Sequence, residues 1–371
     1  MTAIALVHDW LNQLGGAEDV LENLVELFPT APIYTSIYDR ASMPAHYRQW
    51  PIRTTWMNRL PAIYRRHQPY LPLYPLAWDT LRLPAEHRLL LSNKSGFCHG
   101  IHPPPGSTHV CYCLTPTRFV WGFDDYATRE GLSPAVRAAL RPLIAALARW
   151  DRAAADRVHH FISISTEVQQ RVRQIYGRES VIIYPPVDTA RFTPAPPHEV
   201  GDYFLMVGRL IPYKRFDLAI EACNRLGLPL WIGGAGRDRA RLEALAGPTI
   251  KFLGYVPETD LPGLMARARA FLFPGLEDFG ITPVQAMAAG RPVIAFRGGG
   301  APDYVIEGQT GHLFAPQTAD ALTDVLRQFN AARFVPPAIR QFALQFDRAA
   351  FAQQLTAYLQ PYLPPEPGVR P

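Results

Sequence analysis

The sequence predicts an α/β protein built as two doubly wound domains in tandem, and three observations carry that prediction. Short apolar runs of strand length alternate with amphipathic stretches of helix length through nearly all of the 371 residues, the pattern of parallel sheets with helical crossovers. A proline-rich passage, YPPVDTARFTPAPPHEVGD, interrupts the alternation near its middle. The stretch AFLFPGLEDFGITPVQAMAAGRPVIAF, Ala270 to Phe296, contains a complete strand, loop, helix and strand with legible ends.

Composition bounds the function. The length exceeds what one hydrophobic core usually serves, and 48% hydrophobic residues can fill two. A formal net charge of +5 suits an anionic substrate or an anionic membrane face. No helix-turn-helix signature, zinc-finger spacing or aromatic-basic RNA motif is visible, which argues against nucleic acid. Cys98, Cys111, Cys113 and Cys223 form no CxxC pair and read as reduced thiols. The chain enters a strand at Ala3 to Val7 without a signal-peptide pattern, and no run approaches about 18 apolar residues, so a cytoplasmic protein is expected.

Residues 1–185 read as the first domain. IALV followed by HDWLNQLGGAEDVLENLVELF is strand, glycine loop and amphipathic helix, with Glu18 in the first turn where the helix dipole favours it. The Gly15-Gly16 loop is either a tight strand-to-helix turn or a place where the Gly16 amide meets a ligand phosphate. IYTSI is a second strand. From Trp50 to Leu83 the pattern changes, and Trp, Tyr and Leu interleave with Arg53, Arg59, Arg65, Arg66 and His67. That mixture suits an anionic bilayer surface, so residues 50–83 are the expected site of peripheral inner-membrane contact; a proline-broken excursion packed on its own domain is the alternative. LLLSNKSGFCHGI and HVCYCLTPTRFVWG then set Asn93, Lys94, Ser95, His99, Thr115 and Arg118 at strand ends. His99, His102 and His109 have no carboxylate to complete a zinc site, and no metal is expected. A helix over Ala135 to Arg157, the strand FISIS, a helix over Thr166 to Tyr176 and the strand VIIY complete the domain.

Residues 186–200 are the expected linker, 201–341 the second domain, and 342–371 a closing helix that packs back on the first. YFLMV, LWIGG, IKFLG, AFLF and PVIAF are its strands, with helices over Phe216 to Leu226, through Leu264, and from near Pro302. Strand ends of the two domains facing each other across a central cleft is the arrangement implied. In the helix between AFLF and PVIAF, Thr282 is the expected N-cap, Pro283 the first helical residue and Gln285 the partner in a capping box. Glu277, Asp278, Phe279 and Gly280 therefore occupy a loop on the carboxyl edge of a parallel sheet, where open α/β folds bind ligands. The Gly280 and Ile281 amides, with the helix dipole behind them, form a seat for an anion.

In VGRLIPYKRFD, Arg209 and Lys214 follow a strand and precede a helix, a place where the dipole disfavours positive charge and a bound anion explains it. One such cation attracts a phosphate by about 4 kcal/mol at 4 Å with an effective dielectric near 20, which stabilises a leaving diphosphate without metal. There is no Asp-x-Asp motif. A dinucleotide fingerprint on Gly234 and Gly236 would need a third glycine where Arg239 stands, which disfavours a dehydrogenase.

GRLxxxKR around Arg209 and Lys214, EDFGITPxxA from Glu277, the GGG loop and EGQTGHLF resemble the family 4 retaining glycosyltransferases of the GT-B fold, two Rossmann-like domains around a cleft. HDW with GGAED, LSNKSGFCHG and CYCLTPTRFVW resemble more narrowly the branch containing bacterial O-antigen mannosyltransferases. The resemblance implies transfer of a sugar from a nucleotide diphosphate, with retention and without metal. It makes Arg209 and Lys214 the diphosphate clamp, Glu277 the carboxylate on the donor sugar, and Gly280 and Ile281 further phosphate ligands beside Phe279. The family's second Glu is here Gln285, whose amide can still bond ribose hydroxyls. Some relatives carry His where this chain has Leu114. The base is expected against Gly254, Tyr255 and Val256; Glu258 could accept from guanine N1–H and N2–H together, which favours GDP over UDP. His8, Asp9, Lys94, His99 and Arg118 are the expected acceptor contacts, and Gly16 a donor contact.

The function expected is a mannosyltransferase that uses GDP-mannose and a lipid-linked saccharide or glycolipid acceptor in cell-surface polysaccharide assembly. A nucleotide-sugar epimerase and a non-catalytic nucleotide-sugar binding protein are the alternatives.

Overall fold

A computed structural model of the chain describes residues 3–129 and 131–363. The chain divides into two compact units, the first running to Tyr184 and resuming at Ala352, the second spanning Pro185–Phe351.

The first unit is a seven-stranded parallel sheet. Its strands are β1 (Ile4–His8), β2 (Ile33–Thr35), β3 (Ile52–Thr54), β4 (Leu89–Lys94), β5 (Thr108–Cys113), β6 (His160–Ser163) and β7 (Ser180–Ile182), in the order β3-β2-β1-β4-β5-β6-β7. The continuous apolar runs in β1, β4 and β5 are buried nearly throughout, as central parallel strands must be. Two of the crossover helices begin where a side chain caps a free amide. Ser133 accepts from the Val136 amide to open the helix Pro134–Ala154, and Ser165 accepts from that of Val168 to open Thr166–Tyr176, which Gly177 ends in the left-handed region.

The second unit is a six-stranded parallel sheet of β8 (Phe204–Val207), β9 (Leu230–Gly233), β10 (Ile250–Gly254), β11 (Ala270–Phe273), β12 (Val293–Phe296) and β13 (Gly311–Phe314), ordered β10-β9-β8-β11-β12-β13. In each sheet the order reverses once, between β1 and β4 and between β8 and β11. A crevice opens at such a point because the two crossovers depart to opposite sides, and ligands of doubly wound folds bind there.

Several expectations change. Residues 50–83 carry an edge strand, β3, and Met57, Ile63, Tyr74, Ala77 and Trp78 lie in the core with Val7, Leu90 and Phe97. Of the aromatic residues in this stretch, Tyr74 and Trp78 are interior and Tyr64 and Tyr70 pack half-buried against that core, while Trp56, Leu76 and Arg59, Arg65 and Arg66 remain exposed. Among the described residues no helix is long and apolar enough to cross a membrane. The helix Ile281–Ala288 starts two residues before the expected Pro283, behind Gly280 at φ 99°, and has no side-chain cap, so the Thr282–Gln285 box does not form. After Gly300 there is only a single 3₁₀ turn, Ala301–Asp303. The closing helix is two, Pro336–Ala343 and Arg348–Leu359, and the division between units falls within the second. The proline-rich stretch at 186–200 is strapped to the second unit. The Val187 amide donates to Phe346, and Arg340 donates to the carbonyls of Phe192 and Ala288. In the first unit Tyr362 packs on His160 at 4.5 Å.

Candidate functional site

The reversal point of the second sheet gathers the loops after β8 and β11. Lys214, on a 3₁₀ turn (Pro212–Lys214), donates from Nζ to Glu277 Oε1, with the two side chains 16% and 20% exposed. The loops meet through main chain. A Cβ on Gly275 would stand 2.9 Å from Lys214 Cα, so only glycine lets the strand-end loops approach this closely. Glu277 is held from its other side by the glycine run. The Gly300 amide donates to the Glu277 carbonyl at 2.9 Å, and a Cβ on Gly300 would meet Phe279 Cα at 2.6 Å. Tyr304, fully buried, donates to the Phe279 carbonyl at 3.0 Å and sets its ring edge-on to that of Phe279. The motif glycines and one tyrosine thus fix the peptide between Glu277 and Gly280.

The helix behind that peptide begins at Ile281, and among the described residues the Gly280 and Ile281 amides donate to no acceptor. They leave the anion seat open beside the Lys214–Glu277 pair. Arg209 is exposed, with no ion pair among the described residues; its neighbour Leu210 is buried and tied by its amide to Ala235 and by its carbonyl to the Asp238 amide. Gly234 and Gly236 take part in this tie, because a Cβ on either would collide with the main chain of Gly208 or Leu210. These glycines serve sheet-loop packing, in keeping with the failed dinucleotide fingerprint. Gln285 is half-buried on the same helix.

At the end of β10, Tyr255 is 76% exposed, and Val256 lies over Gly233, where an added Cβ would meet it at 2.8 Å. Glu258 does not present a free carboxylate. Arg191 donates to its Oε2 at 3.0 Å and to its carbonyl at 2.6 Å. Arg191 thus competes with a guanine for Glu258, whose side chain is 69% exposed and whose Oε1 accepts from no group among the described residues.

The reversal point of the first sheet is built differently. His8 Nε2 faces Glu18 Oε1 at 3.2 Å and its Nδ1 faces Asn93, all three buried. Asp9 accepts from the Ser95, Gly96 and Cys98 amides at 2.6–2.7 Å, so its carboxylate holds the loop after β4. Lys94 and His99 are wholly buried. Lys94 donates to Thr115 and Thr117, while His99 contacts the Asp151 carbonyl at 3.0 Å. Thr117, Trp121 and Tyr176 all donate to the Asp151 carboxylate at 2.6–2.7 Å. Burial, the largest single influence, opposes the Lys94 charge, but Asp151 together with Cys113, Cys111 and Asp9 outweighs it, and the ammonium is held above its ordinary range. Burial likewise pushes the Asp151 acid up, yet Lys94 and the hydrogen bonds bring it below. An acceptor therefore reaches neither Lys94 nor His99 here; they are corrected from acceptor contacts to parts of a buried ion network. Arg118 starts the short helix Arg118–Trp121 and is half-buried, and Gly16 opens the helix Gly16–Leu27. Two important residues escaped the sequence reading: Tyr304, which carries no local signal, and Asp151, whose only signal is a lone acid in an Ala/Arg-rich helix. Among the described residues no group of three or more His, Cys, Asp or Glu could hold a metal.

The family model described as Glycosyltransferase Family 4 matches residues 14–191, and that described as Glycosyl transferases group 1 matches residues 191–336. A glycogen synthase of Mycobacterium tuberculosis is 33% identical over 231 residues, 56% of this chain and 55% of that protein. A GDP-mannose-dependent alpha-(1-6)-phosphatidylinositol monomannoside mannosyltransferase of Mycolicibacterium smegmatis is 30% identical over 49% of this chain and 56% of its own. The O-antigen chain mannosyltransferase B of Escherichia coli is 40% identical over 33% and 35%. The chain spans about half the length, or less, of these curated relatives. Among solved structures, Anabaena Alr3699/HepE in complex with UDP superposes with a TM-score of 0.70 at 18% identity, covering 96% of this chain and 99% of that one, a likeness of fold.

Proposed function

We propose, from the premise that the chain belongs to the family 4 glycosyltransferases of the GT-B fold, that it transfers mannose from GDP-mannose to a lipid-linked saccharide or glycolipid with retention. The observation that carries the chemistry is the Lys214–Glu277 contact beside the unoccupied amides of Gly280 and Ile281. The ammonium and carboxylate hold each other in place. A donor diphosphate seated on the helix tip takes Lys214 and draws in the exposed Arg209, which frees Glu277 to accept from hydroxyls of the sugar. Negative charge then grows on the departing diphosphate, against two cations and fixed dipoles that need no rearrangement. Front-face attack, with the leaving phosphate oxygen taking the proton of the acceptor hydroxyl, requires no covalent nucleophile from the protein.

Mannose is favoured by the mannosyltransferases among the relatives, one of them GDP-mannose-dependent by name. With Glu258 engaged by Arg191, the guanine preference rests on that likeness alone. The glycogen synthase match makes a glucosyl donor the second reading. Thermal shift with GDP-mannose, ADP-glucose and UDP-glucose, followed by transfer assays with the stabilising donor, separates the two. Lys214→Ala and Glu277→Ala should each lower turnover about 10²–10³-fold, the effect of removing one transition-state contact. Full activity in either variant overturns the assigned roles.

A further inference from the structure

Away from the crevice beside β1, a cavity of about 470 Å³ lies along the edge strand β3 of the first sheet, and the proposed transfer chemistry leaves it unused. That volume lies within the roughly 300–1,000 Å³ range of small-ligand sites. Tyr38, Arg40, Tyr47, Arg48, Trp50 and Asn58 line it, on the segments that follow β2 and precede or follow β3. Trp50 is stacked on Tyr47 at 3.8 Å and 28°, a backing that fixes its indole as a platform. Asn58 accepts the Tyr38 amide through Oδ1 at 2.8 Å and keeps its NH₂ donors uncommitted among the described residues.

The charge of the cavity is more telling than its shape. Arg40 and Arg48 are exposed and make no ion pair or side-chain hydrogen bond among the described residues. The acids near them are already engaged. Asp39 accepts from the Ala41 amide at 3.1 Å and from Ser42 at 2.5 Å, and Glu22 faces His46 at 3.2 Å. Two guanidinium groups against the single Asp39 carboxylate leave the lining net positive, and beside an aromatic platform this matches a ring with an apolar face and an anionic substituent.

We propose that this cavity is a saccharide subsite selective for an acidic hexose, one that bears a phosphate or a carboxylate. The inference rests on reading the chain as a transferase with a saccharide acceptor. Adjacent parallel strands lie about 4.8 Å apart, so the end of β3 is about 10 Å along the sheet edge from the end of β1, the reach of two linked sugar rings. An acceptor chain lying along this edge would place an inner, charged sugar in the cavity and leave its growing end at the crevice.

Saturation-transfer NMR on the purified full chain tests this with mannose 6-phosphate and glucuronate as probes, and mannose and inorganic phosphate as controls. At least one acidic hexose should bind tenfold or more tightly than mannose, and which one does so identifies the acidic group. The double substitution Arg40→Ala with Arg48→Ala, on the exposed rim, should reduce that probe to the level of mannose, and Trp50→Leu should weaken every sugar. Equal binding of acidic and neutral hexoses, an undiminished advantage in the double variant, or equally effective competition by inorganic phosphate would each overturn the proposal. GDP-mannose binding measured on the same samples should be unchanged in the variants. Absence of binding by GDP-mannose, ADP-glucose and UDP-glucose alike in the unaltered protein would instead refute the transferase reading, while a retained preference for the acidic hexose would still support the subsite.

Discussion

The reversal points of the two sheets occupy the same place in the same topology, and they spend their polar groups in opposite ways. Beside β1 and β4 the charges are buried and matched within the protein: Asp9 with three amides, His8 with Glu18, Lys94 with Asp151. Beside β8 and β11 the ion pair is only partly covered, the helix-tip amides are unmatched and Arg209 stands alone among the described residues. A matched, buried network rigidifies its loops; a partly exposed, unmatched one is ready to receive a ligand of opposite charge. The same kind of reversal point therefore does not fix how its polar groups are spent; the partners of each group do.

The contrast breaks most visibly at Asp151. Asp151→Ala leaves the Lys94 ammonium buried without its counter-charge, so the first unit should lose about 3–5 kcal/mol of stability, read by hydrogen exchange of its amides against those of the second unit. A loss shared equally by both units would show that the network is not local. Acid should act on the same region. Burial, helped by Lys94, lowers His99 to about 4, and burial, helped by His99, lowers His109 to about 3. Both values lie below the ordinary histidine range near 6.5, so over this interval the unfolded state binds the extra protons. Stability of the first unit should be fully present above about pH 6.5 and fall, by a few kcal/mol, as pH drops through 4 toward 3. A first unit equally stable at pH 7 and pH 4 would contradict the buried, neutral state of these rings.

Two smaller changes sharpen the other side of the comparison. Gly299 sits at φ 61° with its α-carbon against the Glu277 carbonyl, so Gly299→Ala should displace the carboxylate at about 1–3 kcal/mol of strain and raise the donor KM; crystallography or donor titration detects it. Tyr304→Phe removes one buried hydrogen bond to the Phe279 carbonyl, about 1 kcal/mol, and should lower turnover severalfold while thermal stability shifts little. Unchanged kinetics would free the 277–280 peptide from any dependence on that hydroxyl.

What could be read from the residues was whatever is local. The apolar runs of β4, β5, β8 and β11 and the Thr166–Tyr176 helix follow from short-range patterns, while Lys214 and Glu277 are joined in one site only by the family resemblance. Strand β3 was missed because three half-exposed residues within an Arg- and Pro-rich passage give no apolar run, and β13 because it opens on glycine. The early start at Ile281 was hidden because its cap is a left-handed glycine, which offers no side chain to recognise. Burial of Lys94 and His99 was invisible for a longer-range reason: the carboxylate that makes it tolerable lies more than fifty residues downstream, on another crossover.

The Glu277 loop is clasped almost wholly by peptide groups and α-carbons, through Gly275, Gly299 and Gly300. Its outline is thereby insulated from the chemistry of surrounding side chains. Exposed side chains on the same sheet edge, such as Tyr255, can be exchanged while the loop keeps its form, whereas a methyl group added at any of the three clasping positions would displace it.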